Sequence, residues 1–151
     1  MFKTRADIVV NFTYLVTLIA PLVAFFSLSL VRKGEHNVHK WVQIALLTIC
    51  VLAVGALETR IRLAGGSGTL LQGSPYAKSG LMRSIWIVHV LGAVSTYLVW
   101  GWLVITSYRR HRAILPGTFS RRHKMAGWIV IGGLCFTALS ATIVYILAFT
   151  T

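Results

Sequence analysis

Five histidines, three carboxylates and two cysteines are the side chains of this 151-residue sequence that could ligate a metal or move a proton. Two of the histidines, His39 and His123, stand out by their setting. Each opens a long apolar run inside a basic cluster, Glu35-His36-Asn37-Val38-His39-Lys40 and Ser120-Arg121-Arg122-His123-Lys124-Met125. A helix N-terminus and adjoining Arg and Lys side chains both disfavour imidazolium, and the neutral ring is the form that ligates. Two such rings on helices that run in the same direction could hold a haem axially. Joined by His36 or His111, they could instead hold copper or another transition metal. The competing reading is that of interfacial histidines that meet only water and headgroups, since no ligand spacing within one helix marks a metal site. His36 and His39 are three residues apart and share a face only if their helix begins early.

A second constellation is Glu58 with His89. Each sits within or at the edge of an apolar run, where an ionisable group is costly and normally faces the bundle interior with a partner. Glu58 and Arg62 have the i,i+4 spacing of an ion pair on one helix face. His89 could then move a proton, bond a quinone or a haem propionate, or ligate a metal together with Glu58. In the structural alternative Glu58–Arg62 is an internal ion pair and His89 a hydrogen-bonder between helices. His39 and Glu58 are 19 residues apart in the sequence, or ~28 Å along a helix at 1.5 Å per residue. They cannot share one metal, so there are two sites or none. Cys50 and Cys135 have no CxxC partner and read as small buried apolar residues.

The elements that must position these residues are plain. Hydrophobic residues make up 56% of the chain, charged residues 12%, and the mean hydropathy is +0.76, far from the balance of a soluble domain. Four apolar runs predict helices over 8–31, 41–62, 84–108 and 125–149, each long enough to cross a bilayer. The fold expected is all-α, an integral membrane antiparallel four-helix bundle in a single domain covering 1–151. Pro21 should kink the first helix. The segment 64–80, rich in Gly and Ser, reads as a flexible connector, because its glycines lack phosphate-loop spacing. Lys3 and Arg5 precede an apolar run too long for a signal-peptide core, so the run reads as a retained helix.

The net charge of +12 does not point to nucleic acid. The basic residues stand in short clusters between apolar runs, where they set orientation and meet lipid headgroups. Nine of the 15 Lys and Arg residues fall in 32–40 and 109–124, and six on the other side. That asymmetry places those two loops in the cytoplasm, and both termini outside it. His36, His39, His111 and His123 then lie at the cytoplasmic surface. Asp7, Asn11, Glu58, Arg60, Arg62 and His89 gather near the outer one. Trp41, Trp86, Tyr108 and Trp128 read as interfacial anchors, while Trp100 and Trp102 lie deeper and either pack or line a cofactor. No nucleophile–base–orienter set is visible, so an enzyme is not expected.

The blocks Gly34-x-x-x-x-His39-Lys40, Leu57-Glu58-Thr59-Arg60-Ile61-Arg62-Leu63, His89-Val90-Leu91, Arg122-His123-Lys124-Met125-Ala126-Gly127-Trp128 and Ala141-Thr142-Ile143-Val144-Tyr145 resemble successive motifs of a bacterial membrane-protein family. That family is catalogued as domain of unknown function 420. The resemblance covers most of the chain from about Val31 onward. It implies a four-helix protein of the bacterial inner membrane, associated with haem-copper oxidase systems. It also implies that His39, His89 and His123 match the recurrent histidines, and Glu58 with Arg62 the acidic–basic pair of one branch. Some YozB/CtaM-like members are regarded as oxidase maturation factors. Other branches carry histidine-rich or tyrosine-rich segments where this sequence has Glu58, which bears on any shared metal role.

The function expected is therefore that of a non-catalytic protein of respiratory-chain biogenesis handling haem or copper, with respiratory-complex proteins and membrane lipids as partners. The alternatives are a bis-His haem or quinone-associated electron-transfer subunit, and a ligand-free structural subunit of a larger respiratory or photosynthetic complex.

Overall fold

The computed structural model describes residues 6–71, 73–110 and 118–150. His111 and the turn expected at Pro116-Gly117 lie outside the described residues. The chain forms α1 (Ile8–Arg32), α2 (His36–Leu63), the short α3 (Ser67–Leu71), α4 (Gly80–Arg110) and α5 (Thr118–Phe149). The four long helices pack into an all-α bundle, and all four are long and apolar enough to cross a membrane. They make this a multi-pass membrane chain.

Three helices begin earlier than the apolar runs predict: α2 at His36 rather than 41, α4 at Gly80 rather than 84, and α5 at Thr118 rather than 125. An apolar run marks only the hydrocarbon-embedded length. A 28-residue helix such as α2 spans ~42 Å against a core of ~30 Å. The surplus turns carry the polar residues, whose backbone groups the helix itself satisfies. The loop expected over 32–40 shrinks accordingly to a tight turn.

That turn has a specific cause. Gly34 takes φ +82°, its N–H donates to Val31 O, and Glu35 N–H donates to Leu30 O across 2.9 Å. This paired closure satisfies the last carbonyls of α1 and needs a left-handed residue at its hinge. It reverses the chain within a few residues, so α1 and α2 form a close antiparallel hairpin. Gly65 (φ +91°) ends α2 in the same way, with Gly66 N–H donating to Ile61 O. The stretch after it, whose composition reads as a flexible connector, is partly helical. It forms α3, and Ser74 Oγ docks on Leu147 O of α5 at 2.6 Å.

Around the bundle the order is α1, α2, α4, α5. The pairs α1/α2 and α4/α5 are packed most heavily, α1/α5 less so, and α2/α4 least. The α4/α5 pair is close because Gly92 seats the Phe136 ring and Gly133 seats Thr96, leaving no room for a side chain at either glycine. The core runs through Ala20 and Ala24 of α1, Leu46 and Cys50 of α2, Trp100 and Leu103 of α4, and Ala126, Val130 and Leu134 of α5. Small residues on α1 let its neighbours approach, as membrane helices require when water supplies no driving force between them. Large apolar side chains such as Phe12, Phe25, Leu52 and Leu98 point outward, where lipid rather than water covers them. Pro21 is buried within α1, which remains one helix through it.

Candidate functional site

At the end of the bundle where α2 and α5 begin, the four helices separate around a cavity of about 700 Å3. This lies within the range of small-molecule and cofactor sites, ~300–1,000 Å3. His39 of α2 and His123 of α5 both line it. Because α2 and α5 stand diagonally across the bundle, the two residues come to the cavity from non-adjacent helices. The two histidines singled out in the sequence are thus brought to one site.

Each ring is tethered through Nδ1. His39 Nδ1 lies 3.0 Å from the carbonyl oxygen of Ser27 on α1. A carbonyl only accepts, so Nδ1 carries the proton and a neutral His39 presents its lone pair at Nε2. His123 Nδ1 lies 2.9 Å from Ser107 Oγ on α4, a hydroxyl able to accept in the same sense. An imidazole anchored through one nitrogen is the arrangement by which proteins orient ligating histidines.

The floor of the cavity joins Trp100, which the sequence offers as a packing or cofactor-lining residue, to Gln43, which it does not single out. Trp100, only 1% exposed, donates from Nε1 to Gln43 Oε1 at 2.9 Å, and Gln43 Nε2 donates to Ser27 Oγ at 2.6 Å. Ser27 Oγ in turn donates to Ala24 O at 2.7 Å. Three helices are joined by this chain of bonds, with its polar atoms spent on one another. The signal available in the sequence was the spacing: Gln43 is a polar residue four positions after His39, hence on the same helix face. Above the floor the walls are chiefly Leu28, Ile44, Leu103, Val104 and Ile131, and the rim carries Arg32, Lys40 and Lys124. Trp102, by contrast, is 55% exposed on the lipid-facing side.

His36 also lines the cavity, as a helix beginning at residue 36 requires. Among the described residues, however, no three His, Cys, Asp or Glu side chains group to hold a metal ion. A copper set of His39 and His123 completed by His36 is therefore not assembled. Two imidazoles alone could serve a metal only if its remaining ligands came with it.

At the opposite end the expected polar residues divide into separate contacts. Glu58 Oε1 and Arg62 Nε form the i,i+4 ion pair at 2.7 Å, with both side chains more than half exposed. His89 Nδ1 lies 2.8 Å from Ser140 Oγ of α5. That hydroxyl spends its proton on Phe136 O at 2.8 Å, so it accepts from His89. Glu58 and His89 each have a partner of their own. Asp7 Oδ1 caps α1 by accepting from Val9 and Val10 N–H at 3.0 Å, while Oδ2 lies 2.7 Å from Arg60 Nε. The latter contact is electrostatic, its N–H not being aimed at the oxygen. Asn11 accepts from the hydroxyl of Tyr145, and the rings of Tyr14 and Tyr145 stack at 4.3 Å. Cys50 is fully buried and Cys135 exposed, both as thiols.

No protein-family model matches the chain, nor does any curated protein or solved structure.

Proposed function

We propose that this is a non-catalytic inner-membrane protein that handles haem for respiratory-chain biogenesis, holding it in the cavity between His39 and His123. The observation that carries this reading is the convergence of two Nδ1-tethered imidazoles from diagonal helices on one cavity of about 700 Å3. Axial histidines on facing helices are how helical bundles take up this group. His39 and His123 would hold the iron through their ring nitrogens, and Trp100 with the apolar walls would exclude water. When bound, the haem contributes a one-electron redox centre whose potential depends on those axial ligands and on burial.

The resemblance of the His39, His89 and His123 blocks to a family associated with haem-copper oxidases supports the biogenesis role. The excess of basic residues on the cavity's side supports a cytoplasmic location for it. Respiratory-complex proteins are then the partners to which the haem passes, or from which it comes.

Absorption spectra and haem analysis of the purified chain test this reading. The expected result is a low-spin, bis-imidazole spectrum that His39→Ala and His123→Ala each abolish, with both variants eluting as the wild type does. An unchanged spectrum in both variants would overturn it. Stoichiometric haem that survives competition with an excess of a soluble haem-binding protein would instead select the electron-transfer reading.

A further inference from the structure

The rim of the cavity has positive charge that, among the described residues, meets no carboxylate in an ion pair. Arg32 at the end of α1, Lys40 on α2 and Lys124 on α5 all line the cavity. The whole chain has three carboxylates, Asp7, Glu35 and Glu58. Asp7 and Glu58 are taken by Arg60 and Arg62 at the far end of the bundle. Glu35 stands in the α1–α2 turn, and among the described residues it forms no ion pair with Arg32, Lys40 or Lys124. Lys40 places its ammonium 5.3 Å from the Trp41 ring and 5.8 Å from the Tyr108 ring of α4. Aromatic faces are a weaker resting place for a cation than a carboxylate. Three cations beside an apolar cavity are therefore available to an anion from outside the chain, whether a headgroup or a bound acid.

We propose that the partner arrives with the ligand: the cavity takes a flat, apolar acid whose carboxylates end at Arg32, Lys40 and Lys124 while its body lies between the imidazoles, above Trp100. The inference rests on the haem reading and sharpens it. It makes these three residues the determinants of which way round the ligand sits, carboxylates toward the rim and apolar edge toward Gln43 and Trp100. It also predicts rejection of a ligand that keeps the ring and the iron but lacks the anions. A lipid headgroup could offer the same anionic chemistry to the rim, so the test separates the two sources.

The chain in neutral phosphatidylcholine nanodiscs is titrated with iron protoporphyrin and, separately, with its dimethyl ester. The wild type should bind the free acid at least about tenfold more tightly than the ester. In the triple variant Arg32→Gln, Lys40→Gln, Lys124→Gln, acid binding should fall to the ester level while ester binding stays unchanged. The low-spin spectrum of the ester complex shows in the same experiment that the variant is folded. Equal binding of acid and ester by the wild type, with that spectrum still dependent on His39, overturns this inference and leaves the haem reading standing. So does equal binding combined with loss of co-purified phosphatidylglycerol from the triple variant, which would assign the rim to headgroups. Binding of neither porphyrin overturns both.

Discussion

Trp100 Nε1 and Gln43 Oε1 meet at 2.9 Å, joining α4 to α2, the two neighbouring helices that otherwise touch least. Gln43 also reaches Ser27, so one amide links three helices beneath the two histidines. Gln43→Leu strands the Trp100 donor in an apolar interior and should destabilise the bundle by about 1–2 kcal/mol. Trp100→Phe should cost less through this bond, and the double variant should be less than additive by about 0.6 kcal/mol, the average for bonds between membrane helices. Thermal unfolding in detergent checks all three.

Ser107 holds the His123 ring from α4. Ser107→Ala should weaken haem binding by about 10–100-fold, the usual effect of removing the residue that orients a metal ligand. Ser107→Thr keeps the hydroxyl and should retain most of the affinity. Equal loss in both variants would mean that Ser107 matters through packing alone.

The α4/α5 interface is specified by two glycines. Gly92→Ala and Gly133→Ala would drive a methyl group into Phe136 and Thr96 respectively, each costing about 1–3 kcal/mol by overpacking. Thr96→Ala should recover part of the Gly133→Ala loss. Gly101→Ala and Gly132→Ala, where the added carbon meets nothing within 4 Å, should leave the unfolding midpoint unchanged or slightly raised.

The two ion pairs at the other end differ in worth. Glu58 and Arg62 are exposed, and pairs of that kind contribute about 0.3–0.5 kcal/mol. Glu58→Gln should barely move the unfolding midpoint. Asp7→Ala loses a helix cap as well as its contact with Arg60, and should cost about 1 kcal/mol. A larger effect at Glu58 than at Asp7 would contradict this ordering.

The bundle and the meeting of His39 with His123 were legible because they follow from arithmetic. Four apolar runs alternate in direction, and both histidines open runs that point the same way. Helix starts were misplaced because hydropathy registers the lipid core and not the hydrogen-bonded turns beyond it. That is why the sequence makes a shared face for His36 and His39 conditional on an early helix start, which α2 supplies by beginning at His36. Gln43 and Trp100 were readable one at a time but not as a pair, since 57 residues separate them and only the packing of α2 beside α4 makes the contact. The order in Ser67–Leu71 and at Ser74 was hidden for a similar reason. Gly- and Ser-rich composition does not reveal a docking carbonyl on a distant helix.

The unequal packing around the ring gives the bundle a spine and a thinner edge. Two hairpins, α1/α2 and α4/α5, meet along α1/α5 as covers meet at a binding, and the cavity is lined by all four of their helices. Along the opposite edge α2 and α4 are joined by the Trp100–Gln43 bond and by Lys40 over the Tyr108 ring, and Leu46 and Cys50 share the core with Trp100. The thinnest seam of the ring is thus closed by long side chains that reach across it.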